Sequence, residues 1–519
     1  MNPIPSSSAD AAAGFEQLVD LASARLGGLV LHASDDFFAE KENLVRDEPP
    51  VWKEGEYTDR GKWMDGWESR RRRTPGHDWC VIRLGMPGRI LGVVVDTSFF
   101  RGNYPESCWL EGTVAPAEAG VDDLLGEGTA WTEVLPRSVL AGDAKNRFAV
   151  SLPWRFTHLR FHIDPDGGVA RLRVHGEVVA DPAAVAGSAA GTGAAAPLVD
   201  LAAHEHGGSV VAASDMFFGG RHHLNLPGPS RGMHDGWETR RRRGPGHDWV
   251  IVRLAARGVI ERAIVDTAHF KGNAPGSCTL EIADQAEATL EQLVAPGFAW
   301  TPLLPMTALQ PHHEHALELV ASAAGRPATH ACLRIHPDGG VARLRIFGRA
   351  DETGRRALVL ARLNALLPAA AEHELLACMG APAWAQAVAA ARPFADEKAL
   401  TAASEQAMEG LSDEDWSAAF AAHPRIGQPR SDARGWAMAE QQGAAGADSG
   451  TKEALAVANR AYEERFGYLF LTCATGKNAA TILEELERRM QNDPATERRV
   501  AIDEQRKITR LRLEKLLRS

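Results

Sequence analysis

A long passage of this chain occurs twice, and that constrains its fold more than any other feature. Asp65-Gly66-Trp67-Glu68, the run Arg70 to Arg73, His77-Asp78-Trp79 and Val95-Asp96-Thr97 return as Asp235-Gly236-Trp237-Glu238, Arg240 to Arg243, His247-Asp248-Trp249 and Val265-Asp266-Thr267. Each member lies 170 positions after its twin. Ala33-Ser34-Asp35 matches Ala213-Ser214-Asp215 at 180, so the first copy carries about ten extra residues, in the charged stretch around Lys41 to Lys62. Copies of this size are whole domains, far longer than solenoid units of ~20–50 residues. What is repeated is mostly polar. A duplicated core would not need to keep its polar loop residues, so the shared polar positions are where a site is sought first.

Hydrophobic period assigns the fold class. Within each copy, Cys80, Ile82 and Leu84 alternate with Trp79, Val81 and Arg83, and Ala170, Leu172 and Val174 alternate with Val169, Arg171 and Arg173. Period two predicts strands with one buried and one solvated face. Asp166-Gly167-Gly168 reads as a hairpin turn between two of them. Short strands with frequent Gly and Pro turns favour a sandwich or jelly roll. Pro182 to Pro197 is nearly all Ala, Gly, Ser and Thr, a linker composition. Beyond about Gly354 the period becomes helical. Ser412 and Asp415 form a capping box, with Leu411 and Trp416 as its hydrophobic staple. Leu455, Ala458, Tyr462 and Phe466 make one apolar stripe that Gly467 stops, Ile482, Leu483, Leu486 and Met490 make another, and a last helix begins near Thr496. The expected organisation is two all-β repeats at 14–181 and 198–351, a linker at 182–197, and an all-α domain at 356–519.

Composition removes several function classes. A net charge of −11 argues against general nucleic-acid binding. No stretch approaches the ~18 apolar residues of a membrane span, and no basic-then-apolar leader opens the chain. Six scattered cysteines without C-x-x-C read as reduced thiols of a cytoplasmic protein. No nucleic-acid or membrane partner is expected, and a symmetric homo-oligomer is the expected assembly.

Each β copy offers an imidazole and two carboxylates: Glu68, His77 and Asp96, then Glu238, His247 and Asp266. Such groups supply the base and acid that C–N hydrolysis needs, or ligate a divalent metal. The bland reading is that Asp96 and Asp266 cap strand ends and that the histidines satisfy turn carbonyls. Asn103 and Asn273 follow a Gly in a turn, where an amide next to a basic residue can read a small polar ligand. The arginine runs alternate in direction and read as solvated or ion-paired, with one or two available to a substrate carboxylate. Taken in order and in duplicate, these motifs resemble allantoicase over about residues 14–350. The resemblance implies two jelly-roll domains of the galactose-binding type and hydrolysis of allantoate to ureidoglycolate and urea. It leaves open a divalent metal. Glu68, His77, Asp96, Asn103, Glu238, His247, Asp266 and Asn273 are the candidate substrate-binding residues.

In the helical region, Pro424 ends the helix begun at Ser412 and leaves His423 at its carbonyl-rich exit. That field favours an imidazolium able to hold a carboxylate or pass a proton; a capping histidine without chemistry is the alternative. Glu440 lies one turn after Trp436, and Arg512 borders an apolar face. Leu376-x-Cys378-x-Gly380, Ala422-His423-Pro424-Arg425-Ile426-Gly427, Glu440-Gln441-x-Gly443, Tyr462-Glu463-x-Arg465-Phe466-Gly467 and Leu511-Arg512-Leu513 resemble 2-oxo-4-hydroxy-4-carboxy-5-ureidoimidazoline (OHCU) decarboxylase over about residues 358–519. The resemblance implies an all-helical, cofactor-free enzyme giving (S)-allantoin, with His423, Glu440 and Arg512 catalytic and Pro424 beside the substrate. Ala437 stands where such enzymes often carry Ser. The competing reading is non-enzymatic: a pair of carbohydrate-binding β-sandwiches with a helical oligomerisation domain.

Overall fold

A computed structural model describes residues 14–186, 198–319, 325–425, 436 and 449–518. It divides into two compact units, 1–358 and 359–519. In the first, the duplication in sequence is a duplication in topology. Each copy builds an eight-stranded antiparallel assembly around one 19-residue strand, Asp78–Asp96 or Asp248–Asp266. These strands are long enough to serve two neighbourhoods. The first half of Asp78–Asp96 pairs with Leu29–Ala33 and Arg155–Asp164, and the second with Arg171–Val178 and Lys145–Ala149. The expected hairpin across Asp166-Gly167-Gly168 does not form. Arg155–Asp164 and Arg171–Val178 both pair with the central strand, while Gly168–Val169 pairs with Trp67–Glu68. The turn therefore bridges different partners, and its glycine is required by packing. A Cβ on Gly168 would lie 1.9 Å from the Phe100 ring, and one on Gly340 would lie 2.0 Å from Phe270.

The alternation holds on one face and is modified on the other. Cys80, Ile82, Leu172 and Val174 are fully buried. Val81 is buried as well, on the face expected to be solvated. Its twin Ile251 packs with Leu293 of the short helix Leu290–Val294, which covers that side of the sheet. Arg171 was also expected outside, yet it is 2% exposed. It forms an ion pair with Asp65 at 3.0 Å and donates to the Glu48 and Ala170 carbonyls. Arg343 and Asp235 repeat this pair at 2.9 Å. Arg25 of the first copy reaches the same Asp235 carboxylate at 3.1 Å, so one acidic residue joins the two copies.

The extra residues of the first copy include a small hairpin, Tyr57–Thr58 against Gly61–Lys62, laid beside Phe38. The second copy has no such hairpin at the corresponding position, and Phe217 and Phe218 are more than half exposed. The first residues of the segment read as a linker are helical. Pro182–Ala186 is a short helix whose Val185 is fully buried in the second copy's core; 187–197 lies outside the described residues. All six cysteines are free thiols.

The described regular structure of the second unit is entirely helical. Ser412 caps Asp413–Ala421 reciprocally with Asp415, and Leu411 and Trp416 join the core around Trp384 and Phe420. Ser449–Phe466 stops at Gly467, whose φ of +79° is left-handed. Its stripe packs with Ala479–Arg489 around Tyr462, Ile482 and Leu486. The last helix, Pro494–Leu516, starts two residues before Thr496 because Asp493 caps it. No described helix is long and apolar enough to cross a membrane.

Candidate active sites

Many of the repeated polar residues hold loops. Asp35 accepts from the Arg70 amide and guanidinium, and Arg72 pairs with Asp78 at 2.5 Å while its amide donates to Asp166. The second copy reproduces both pairs through Asp215–Arg240 and Arg242–Asp248. The arginine runs lie in loops and are partly ion-paired. Asp96 and Asp266 are nearly buried, and each accepts from the amide two residues on, closing the turn after the long strand. This is the strand-end role that the sequence held open as the alternative to ligand binding.

Two sets of groups remain in each copy. In the first set, Asn103 donates to Glu68 at 2.7 Å, and Asn273 donates to Glu238 at 2.6 Å. Strand pairing puts Glu68 opposite Gly168, whose amide donates to the Asn103 carbonyl, so one loop fixes both members. Burial raises the Glu68 carboxyl above the ordinary value, against the Asn103 hydrogen bond, which lowers it. A carboxyl raised in this way is suited to exchanging a proton.

The second set is built on the outward face of adjacent strands. His77 Nε2 lies 3.0 Å from His162 Nδ1, and His162 Nε2 lies 2.9 Å from Glu111, which also accepts from Arg160. The Trp109 ring stacks on His162 at 4.5 Å, with 3° between planes. Burial lowers both imidazoles below the ordinary histidine value, His162 to about 4. Burial alone would raise Glu111, but hydrogen bonds from Arg160 and His162 bring it below the ordinary carboxylate value. The second copy keeps His247 and Glu281 but links them through Arg334, which donates to Glu281 at 2.7 Å and to His247 Nε2 at 3.1 Å. Sequence reasoning missed Glu111, His162, Glu281 and Arg334. Glu111 and Glu281 were within reach, since they too repeat at 170. Among the described residues, no three His, Cys, Asp or Glu side chains converge as metal ligands.

In the helical unit, His423 follows the end of Asp413–Ala421, and its amide bonds to the Phe420 carbonyl. Pro424 beside it is half-buried. His423 Nε2 lies 2.8 Å from Gln505 Oε1. Gln505, Thr509 and Arg512, all nearly or fully buried, share one face of the last helix. The Thr509 hydroxyl donates to the Gln505 carbonyl, so its oxygen accepts from the Gln505 amide at 3.2 Å. That turns Gln505 Oε1 toward His423 and makes Nε2 the proton-bearing nitrogen. Gln505 was not singled out from sequence, because nothing local marks a helix glutamine as facing a histidine 82 residues away. Glu440 and Ala437 lie outside the described residues.

A duplicated β-sandwich unit with paired polar sets, followed by a helical unit in which a half-buried histidine meets a buried amide on the face that also carries a buried arginine, has the make-up of an enzyme of two parts. Comparison with known proteins names the parts. The allantoicase repeat model matches residues 19–179 and 199–351, and the OHCU decarboxylase model matches 364–514. A probable allantoicase of Burkholderia mallei is 46% identical over 67% of this chain and 99% of its own length. A probable allantoicase of Pseudomonas paraeruginosa is 47% identical over 65% of this chain and 97% of its own. The crystal structure of allantoicase from Saccharomyces cerevisiae is 32% identical and superposes with a TM-score of 0.54, covering 66% of this chain and 98% of that one. The chain belongs to the allantoicase family and carries an OHCU decarboxylase domain after the allantoicase repeats.

Proposed function

We propose that the chain is a bifunctional enzyme of urate breakdown. The first unit hydrolyses allantoate to ureidoglycolate and urea, and the second decarboxylates OHCU to (S)-allantoin. The observation that carries this reading is that each unit is matched along nearly its whole length by one enzyme family. In the first unit, Glu68 and Asn103, or Glu238 and Asn273, bind ureido N–H and carbonyl groups. His77 and His247 supply the imidazole for proton transfer during attack of water and departure of nitrogen. A divalent metal remains part of the proposal, to be judged with a chelator. In the second unit, loss of CO2 leaves an electron pair that the adjacent imine delocalises. Arg512 anchors the substrate, Glu440 binds ureido N–H groups, Pro424 lies against the substrate, and His423 orients the departing carboxylate and guides protonation of the carbon. That half needs no cofactor.

The two steps are not consecutive, because ring opening of allantoin lies between them. Fusion therefore serves co-production rather than direct transfer. A cytoplasmic homo-oligomer is the proposed state. The test uses the full chain. Urea release from allantoate is measured with and without chelator, and decarboxylation is followed on freshly generated OHCU. His423→Ala is expected to lower decarboxylation at least a hundredfold while leaving urea release within twofold. Absence of urea release under every metal condition would defeat the first assignment.

A further inference from the structure

The two copies provide a comparison within one chain, and it singles out a cavity. In the first copy Arg160 stands opposite Glu111 in the strand register; in the second, Cys332 stands opposite Glu281. Arg160 lays its guanidinium over the Trp131 indole at 4.7 Å and donates to Glu111 at 2.8 Å. Trp131 and Trp300 occupy the same place, each directly before a strand, Thr132–Val139 or Thr301–Ala308. Exchange of arginine for cysteine removes the long side chain. Beside Trp300 the second copy has a cavity of about 230 Å³, walled by Trp249, Leu293, Phe298, Trp300 and Cys332, with Arg334 at its side. A cavity of roughly 150 Å³ already admits benzene, so this one accepts several heavy atoms.

The first copy indicates what shape fits. A flat, Y-shaped group with N–H edges stacks on the indole there. The second copy changes the charge that is tolerated. Arg334 now holds Glu281 and reaches His247 from the cavity wall, so a second cation is disfavoured and a carbonyl oxygen is welcome. A ureido group is the neutral isostere of guanidinium: the same plane and branching, with one nitrogen replaced by an acceptor oxygen. We propose that this cavity binds the ureido group of a small ligand, its face on Trp300 and its oxygen accepting from Arg334. For the natural ligand the proposal rests on the reading that this unit acts on allantoate, which bears two ureido groups. The pocket itself follows from the comparison of the copies. It also makes the second copy the one that receives this part of the ligand, because in the first Arg160 occupies the corresponding place.

The test is calorimetric titration of the full chain with N-carbamoylglycine, which carries one ureido group and one carboxylate, and with guanidinoacetate, its cationic counterpart. The wild type is expected to bind N-carbamoylglycine at least tenfold more tightly than guanidinoacetate. Cys332→Arg, which installs the first copy's side chain, is expected to weaken N-carbamoylglycine binding at least tenfold, and Trp300→Leu to do the same without adding charge. Thermal melting and the far-ultraviolet circular dichroism of the β unit check that each variant is folded. Binding unaltered in both variants, no binding to the wild type, or a preference for guanidinoacetate would overturn the pocket. Urea release from allantoate is measured in parallel. Its absence in the wild type would remove allantoate as the natural ligand, while the titrations still decide whether the cavity takes a ureido group.

Discussion

A single hydrogen bond decides how His423 can work. With Nε2–H donated to Gln505 Oε1, the last helix sets the orientation of the His423 ring. Gln505→Leu keeps the helix and its bulk but removes the acceptor. It is expected to lower kcat for OHCU decarboxylation by about ten- to a hundredfold with a smaller effect on KM, since misplacement of a reacting group by ~1 Å costs on that scale. Gln505→Glu restores an acceptor and is expected to recover most of the rate. Steady-state kinetics distinguish the cases; equal losses in both variants would assign Gln505 a packing role. His423 itself was legible in sequence, because proline after a helix is a local signal. Its partner was not, because the meeting of residues 423 and 505 is a property of packing. In the β copies the legible residues were likewise those in contiguous motifs. Glu111, His162 and Arg334 lie at outward positions of ordinary strands, where only the fold says what they face.

At the level of elements, the period-two pattern located strands but assigned too much of them to water. Arg171 and Arg343 sit at positions that alternation marks as polar, yet each is buried against a carboxylate. Removing one partner from such a pair strands the other charge, at a cost of about 3–5 kcal/mol. Arg171→Met is therefore expected to destabilise the first unit by that order, read as a drop in its thermal or urea transition. The pair Arg171→Met with Asp65→Leu is expected to recover most of the loss, because no buried charge is left without its counter-ion. If the double variant were as unstable as the single one, lost packing rather than charge would be the cause. The missed hairpin has a similar origin. Asp-Gly-Gly signals a turn, but pairing is chosen by the long central strand, which accepts both flanking strands as neighbours.

Across the whole molecule, the repeat carries a pH dependence as well as a fold. His158 and His330 are twins, each nearly or fully buried beside a threonine hydroxyl, with Nδ1 at 2.9 and 3.0 Å. Burial lowers both from 6.5 to about 4. The unfolded chain takes up a proton near pH 6.5 that the folded chain refuses until about pH 4. Their contribution is thus complete above about pH 6.5 and is lost as pH falls toward 4, at up to about 1.4 kcal/mol per pH unit for each histidine. His158→Phe with His330→Phe is expected to flatten the pH dependence of the urea midpoint over this range. An unchanged slope would assign the acid sensitivity to other groups.

The sequence by itself determined that two like β domains precede a helical one, and which family each resembles. Duplication, period and short motifs are properties of neighbours along the chain and survive without coordinates. Tertiary structure decided how the repeated polar residues are used. Asp96 and Asp266 close turns, Glu68 and Asn103 meet, and His77 and His247, identical in their motifs, take different partners. It also decided that Arg160 lies over Trp131 in the first copy, while Cys332, its counterpart, lines a cavity beside Trp300 in the second. The reason is physical: side chains that meet across strands or between helices lie tens to more than a hundred positions apart, and only packing and burial select which of them touch.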